Sequence, residues 1–258
     1  MVSLLKNKKK RTNSSRAWLT RQLTDPYVAQ AKKDGYRARS AFKLIEIDDK
    51  FQLLKPTNVV VDLGCAPGGW LQVVAQRVRK GQIIGVDLQN VVPVGDVALI
   101  KGDFTEPETV AQLLGGLGGK GVHVVLSDMA APACGIPSVD ALRITLLVRS
   151  VADFCDKVLL PGGHMVAKVL RGGTENELLS ELKQKFRKVS HFKPASSRAD
   201  SAEMYLVAIG RKPQESGSRW SHAGTEPQGT PHETEPQGTE PQGTPQGTEP
   251  HGTPHGTE

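Results

Sequence analysis

Residues 59–70, Val59-Val60-Val61-Asp62-Leu63-Gly64-Cys65-Ala66-Pro67-Gly68-Gly69-Trp70, limit the possible folds more than any other stretch. A β-branched run suited to a buried parallel strand passes straight into a glycine-rich turn, and Leu71 to Val78 then carry the apolar spacing of a helix. Strand, turn and helix in that order open a Rossmann-like unit, so an α/β fold is expected. The turn reads G-x-x-x-G-G rather than G-x-G-x-x-G. That argues against a dinucleotide pyrophosphate cradle and for close backbone approach to a smaller nucleoside.

Two further strand-like segments, Ile83–Leu88 and Ala98–Phe104, bear Asp87 and Asp103 near their ends. Asp87 falls 23 positions after Gly64, where such folds bind ribose hydroxyls. With Asp62, three successive strands end in an acid. This set suits S-adenosylmethionine, which is cationic and presents a ribose diol and an adenine amino group.

The pattern continues with a strand at His123–Asp128 and a helix at Val139–Leu159, with Leu142, Leu146, Leu147, Val151, Phe154 and Val158 expected on its buried side. After the turn Pro161-Gly162-Gly163 come a strand, His164–Val169, a helix, Asn176–Lys188, and a last strand, Glu203–Ile209. Lys183, Lys185, Arg187 and Lys188 read as the wet face of that helix. Ahead of the sheet, residues 18–52 read as helical, with Ser40 placed to cap the second helix and Phe42, Leu44, Ile45 and Ile47 available to pack on the sheet. The basic loop Lys32–Arg39 between the helices suits a solvated loop or a phosphate contact equally.

Composition breaks near residue 212. Beyond it the chain repeats Gly-Thr-Glu-Pro-Gln and Gly-Thr-Pro-His with almost no apolar side chains, so a disordered tail over 213–258 is expected after a domain over 18–212. Residues 1–212 carry a net charge of +12, which points to a polyanionic partner such as RNA. The acid-free segment 1–17, with Lys6, Lys8, Lys9, Lys10, Arg11 and Arg16, reads as a flexible RNA-clamping arm in preference to an organelle transit peptide. Three cysteines without metal-ligand spacing predict reduced thiols and no metal site. With no apolar run of membrane-spanning length and no signal pattern, a cytoplasmic monomer away from membranes is expected.

Four charged residues, Lys43, Asp128, Lys168 and Glu203, fall at or near the ends of predicted elements around one crevice. Lys168 interrupts the apolar strand Met165-Val166-Ala167-Lys168-Val169, where an unpaired ammonium would be costly. Asp128 on the adjacent strand is its expected partner, and a purely structural ion pair is the alternative.

Asp62 to Trp70, Ser127-Asp128-Met129-Ala130, Lys168-Val169 and Ser196-Ser197-Arg198-x-x-Ser201-x-Glu203-x-Tyr205 together resemble the FtsJ (RrmJ) family of ribosomal RNA ribose 2′-O-methyltransferases, in the family's order, across about residues 14–212. The resemblance implies a methyltransferase fold with a mostly parallel seven-stranded sheet, helices on both faces and an antiparallel last strand. It implies that Lys43, Asp128, Lys168 and Glu203 form a catalytic tetrad centred on Lys168. It also implies S-adenosylmethionine contacts from Gly68, Trp70, Asp87, Asp103 and Asp128, and methylation of a uridine of 23S rRNA in the large ribosomal subunit. One departure stands out: Met129-Ala130-Ala131-Pro132 replaces the family's common Met-Ala-Pro-Asn.

Two rivals share the fold class. Ala131-Pro132-Ala133-Cys134-Gly135 has a passing likeness to the nucleophile loop of RNA cytosine-5 methyltransferases, although the Thr-Cys-Ser motif of that class is missing. An rRNA-binding assembly factor that keeps the fold without catalysis is the other.

Overall fold

The computed structural model describes residue 20, residues 23–171 and residues 176–213. The arm at 1–17 and, beyond Pro213, the repeat tail lie outside the described residues.

Helices α1 (Pro26–Lys33) and α2 (Ser40–Phe51) lie ahead of the sheet among the described residues. Helix α1 starts on Asp25, whose carboxylate accepts the Tyr27 N–H, with proline in the first turn where its missing N–H costs nothing. Helix α2 buries Ala41, Leu44 and Ile47. Phe42 is only half-buried, and its ring meets those of Tyr27 and Tyr36. Ser40 does not cap α2. The capping position falls on Arg39, whose backbone is already helical, so Ser40 sits inside the first turn where its hydroxyl has no cap to make.

The sheet follows: β1 (Val59–Leu63), α3 (Gly69–Arg77), β2 (Gln82–Asp87), β3 (Ala98–Lys101), α4 (Pro107–Leu117), β4 (Val122–Ser127), α5 (Pro137–Val158), β5 (Leu159–Leu170), α6 (Asn176–Lys185), β6 (Phe186–Phe192) and β7 (Glu203–Arg211). Strand order is β3-β2-β1-β4-β5-β7-β6, and only β7 runs against its neighbours. The order reverses between β1 and β4, the switch point at which such sheets open a crevice beyond their carboxyl ends. Every residue of β1 is buried. Val59, Val61 and Leu63 pack in the layer holding buried residues of α4, α5 and α6, and Val60 packs with α2 and α3.

Two further expectations fail. The helical pattern read as far as Lys188 ends at Lys185, and Phe186–Phe192 is a strand paired with β7, for example Lys188 with Ile209 and His191 with Leu206. The free backbone edge of β7 overrides a modest helical preference, and Arg187 and Lys188 become exposed basic residues on an edge strand. Along α5 the buried residues are Ile144, Thr145, Val148, Val151, Ala152, Phe154, Cys155 and Val158, so Val151, Phe154 and Val158 are buried as expected, whereas Leu142 and Leu146 are 50% and 55% exposed. These leucines stand two positions from Ile144 and Val148, about 200° round the helix. Thr145 can occupy the stripe because its hydroxyl donates to Ala141 O at 3.1 Å.

No helix among the described residues is long and apolar enough to cross a membrane.

Candidate active site

A cavity of about 410 Å³ opens at the carboxyl ends of β1, β2 and β4, lined by Gly64, Asp87, Asp103, Phe104, Asp128, the 129–132 loop and Leu147 among others. Gly64 forms part of its wall with φ +77°, and a Cβ there would lie 2.2 Å from Met129 Cγ. Only glycine fits this turn without displacing the methionine. Asp87 is fixed at the rim by two backbone donors, Ala66 N–H to Oδ2 and Gln89 N–H to Oδ1, each at 2.8 Å. Asp103 accepts the Thr105 N–H at 2.9 Å and its hydroxyl at 2.7 Å, both on Oδ1.

Gly68 and Trp70 do not line this cavity. Gly68 is the N-cap of α3, and the Trp70 indole is buried behind the turn, donating to Ser40 O at 2.8 Å with its ring 5.6 Å from that of Tyr205. Asp62 is not at the lining surface either: it lies within β1 and is 1% exposed. Burial, with Asp128 and Asp87 adding to it, raises its carboxyl well above the usual range.

Composition gave no warning of the part played by Arg37. Rather than facing solvent, its guanidinium donates to Pro67 O at 3.3 Å, Val92 O at 2.5 Å and Pro93 O at 2.8 Å, tying the helix α1–α2 loop to the two loops that flank the cavity. Arg39 in the same basic loop pairs with Asp25 and donates to Ser196 O.

On the other side of Asp128 the four expected charged residues come together. Lys168 Nζ lies 2.8 Å from Asp128 O, 3.2 Å from Asp128 Oδ1 and 3.8 Å from Glu203 Oε1. Lys43 Nζ donates to Glu203 Oε2 at 2.8 Å and stands 5.6 Å from the centre of the Tyr205 ring. Tyr205 donates its hydroxyl to Asp128 Oδ1 at 2.7 Å.

The register explains this convergence. Lys168 faces Tyr205, and Leu170 faces Glu203 across the β5–β7 pairing. Lys168 therefore continues the face of Val166 that packs toward α2, the helix carrying Lys43.

Burial raises the Glu203 carboxyl, but Lys43 and then Lys168 outweigh it and bring it below the usual range. Burial and Asp128 push the Tyr205 phenol well up, so it stays a donor. Lys43 and Glu203 line a second cavity of about 300 Å³ with Arg39, Arg198 and Asp200. Lys168 thus bonds a residue of each cavity, Asp128 of the first and Glu203 of the second.

Cys134 is exposed on the 128–136 loop and lines neither cavity. Its N–H is held by Asp140 Oδ1 at 2.8 Å. Cys65 is buried, and burial, with Asp62 and Asp87, pushes its thiol up, which suits packing and not nucleophilic attack.

Comparison with known proteins agrees with this architecture. A protein of Parvibaculum lavamentivorans named ribosomal RNA large subunit methyltransferase E is 52% identical over 219 residues, covering 81% of this chain and 86% of its own. The protein of the same name from Rickettsia bellii is 48% identical, covering 81% of this chain and 94% of its own. A crystal structure from Plasmodium falciparum, described as that of a ribosomal RNA methyltransferase, superposes with a TM-score of 0.64 at 33% identity, over 69% of this chain and all of the other. The profile of the FtsJ-like methyltransferases matches residues 36–211, and the chain belongs to that family.

Proposed function

We propose that the protein methylates the ribose 2′-hydroxyl of a uridine in 23S rRNA within the large ribosomal subunit, using S-adenosylmethionine, the methyl donor of its family. The observation that carries this reading is the position of Lys168, bonded on one side to Asp128 of the nucleoside-sized cavity and on the other to Glu203 of the cavity holding Lys43, Arg39 and Arg198.

The residues of the first cavity fit the cofactor. Its volume falls in the range of small-molecule sites, about 300–1,000 Å³. Asp87 and Asp103 present carboxylates to a ribose diol and an adenine amino group, Phe104 and Leu147 offer apolar surface, and Asp128 adds a third acid suited to a cationic ligand. Gly68 and Trp70 contribute through the turn and the start of α3. When bound, the cofactor supplies a methyl carbon activated by its sulfonium sulfur.

What remains for the protein is to place a sugar hydroxyl in line with that carbon and to handle its proton. Lys168 orients the hydroxyl and, reacting as the neutral amine, takes its proton late in the displacement to become the ammonium that the two carboxylates hold. Asp128 and Glu203 hold Nζ from two sides, Tyr205 fixes the Asp128 carboxylate, and Lys43 fixes Glu203. Arg39 and Arg198 add positive charge beside the acceptor cavity. With the net +12 of residues 1–212, this favours an RNA backbone as substrate. The catalytic domain spans residues 18–212, and the arm at 1–17 adds phosphate contacts.

The test is to incubate the protein with labelled cofactor and large ribosomal subunits that lack the modification, then digest the RNA with alkali. Label in an alkali-resistant dinucleotide is expected, because a blocked 2′ oxygen cannot cleave its own phosphodiester. Label on a base that is lost with Cys134→Ala would indicate the cytosine-type reaction. No incorporation would leave the assembly-factor reading.

A further inference from the structure

The one charged residue of the 59–70 segment is Asp62, and it lines neither cavity. Its carboxylate is 1% exposed, and among the described residues neither oxygen finds a hydrogen-bond partner. An ionised carboxylate in that setting costs several kcal/mol, so the site either neutralises the acid or meets it with a cation.

Among the described residues, no cation acts on Asp62. Alternation along β1 turns Asp62 to the same face as Val60, into the layer where α3 contributes Trp70, Leu71, Val73 and Val74, all apolar. Across the sheet its partners are Gly85 of β2 and Leu126 of β4. The charged groups acting on it are Asp128 after β4 and Asp87 at the end of β2, both acidic, and the thiol of Cys65 adjoins it from the turn. Lys168 and Lys43, the cations of the acceptor side, are taken up by Asp128 and Glu203. Yet Asp62 stands two residues before Gly64, in the wall of the cofactor cavity, and both acids that oppose its charge line that cavity.

We propose that Asp62 is a proton-linked sensor of cofactor charge: neutral in the cofactor-free protein, it ionises when the sulfonium cofactor occupies the cavity, and its proton leaves to solvent. The bond broken is the carboxyl O–H, and no electrons are exchanged. Once the methyl group has gone, the product thioether has lost the sulfonium charge. Asp62 then recovers a proton, and the pocket loses part of its grip on the product. Asp62 is a positioning residue here, acting on the cavity through its field and not by contact. The inference rests on the cofactor assignment of the family and goes beyond it.

Titration calorimetry on the full chain tests it, with S-adenosylmethionine and S-adenosylhomocysteine as probes in two buffers of different ionisation enthalpy. The measurement is made at about pH 6, below the range of an α-amino group, ~7.7–8.0, so that the ligands' own amino groups stay protonated. Close to one proton released per S-adenosylmethionine, and clearly less for the thioether, is the expected result. Asp62→Asn should abolish the release and weaken S-adenosylmethionine about tenfold, with a smaller change for the thioether. An infrared difference spectrum of the unaltered protein should lose a protonated-carboxyl band on addition of the sulfonium ligand, a readout that stands even if Asp62→Asn fails to fold. Binding without proton release, or release undiminished in Asp62→Asn, would overturn the proposal. Failure of either ligand to bind would overturn the cofactor assignment itself.

Discussion

The two sides of the crevice treat charge in opposite ways. On the cofactor side, Asp87 and Asp103 are held by backbone N–H groups and the Thr105 hydroxyl, and among the described residues neither they nor Asp62 belongs to an ion pair. On the acceptor side the four central residues are matched: Lys168 with Asp128 and Glu203, and Lys43 with Glu203. A pocket that keeps its acids unpaired is completed by a cationic ligand. A cluster whose charges already balance suits the holding of a neutral group in a fixed direction, and a sugar hydroxyl is such a group. Asp128 belongs to both sides.

Asp128→Ala should therefore give the largest effect that separates this arrangement from two independent sites. It removes a cavity carboxylate and frees Lys168 and Tyr205 together, so kcat/KM should fall by more than about 10³-fold with both kcat and cofactor affinity reduced. A loss confined to one of the two parameters would break the link between the halves. Gly64→Ala is next. It acts on the cofactor side alone, forcing a side chain into φ +77° against Met129, and should weaken cofactor binding by about tenfold while leaving the Lys168–Glu203 contact in place.

Smaller still is the pH response of a group remote from both pockets. Burial, then Lys55 and His123, hold the His164 imidazole below its usual range, and Nδ1 accepts the Gly210 N–H at 3.2 Å. The unfolded chain gains a proton at about pH 6.5 that the folded chain refuses. Stability from this group is present above that pH and is lost as pH falls through it toward the folded value. Thermal melts should show the decline, and His164→Asn should flatten it. Glu203, whose carboxyl is held low, adds its own decline only at more acidic pH. Least of all, Leu146→Ser should change stability by no more than about 0.5 kcal/mol, as its exposure predicts. A loss of several times that would return Leu146 to the core.

How much of this is legible in the sequence differs between the halves for a physical reason. The cofactor side is written locally: a β-branched strand, a positive-φ glycine and strand-end acids lie within short stretches, and Asp87 and Asp103 are found at the cavity that such a segment announces. Lys168 also declares itself, since an ammonium in an apolar strand needs a carboxylate, and Asp128 lies 3.2 Å away. What stays hidden depends on long-range register. Phe186–Phe192 becomes a strand only because β7 offers it an edge, and Leu142 and Leu146 face solvent because the stripe of α5 runs through Thr145 instead. The clasp of Arg37 on Pro67, Val92 and Pro93 joins loops as many as 56 residues apart, and no local pattern marks it. Trp70, legible only through the family resemblance, supports the turn from behind rather than lining the pocket.

The division of labour across the crevice is tested most directly by Lys168→Ala, with single-turnover methyl transfer to unmodified large subunits and cofactor affinity measured on the same preparation. Transfer reduced by at least about 10³-fold, with affinity within about threefold of the unaltered protein, is the expected result. Transfer that survives within about tenfold, or affinity that collapses along with it, would contradict the assignment of Lys168 to the sugar hydroxyl.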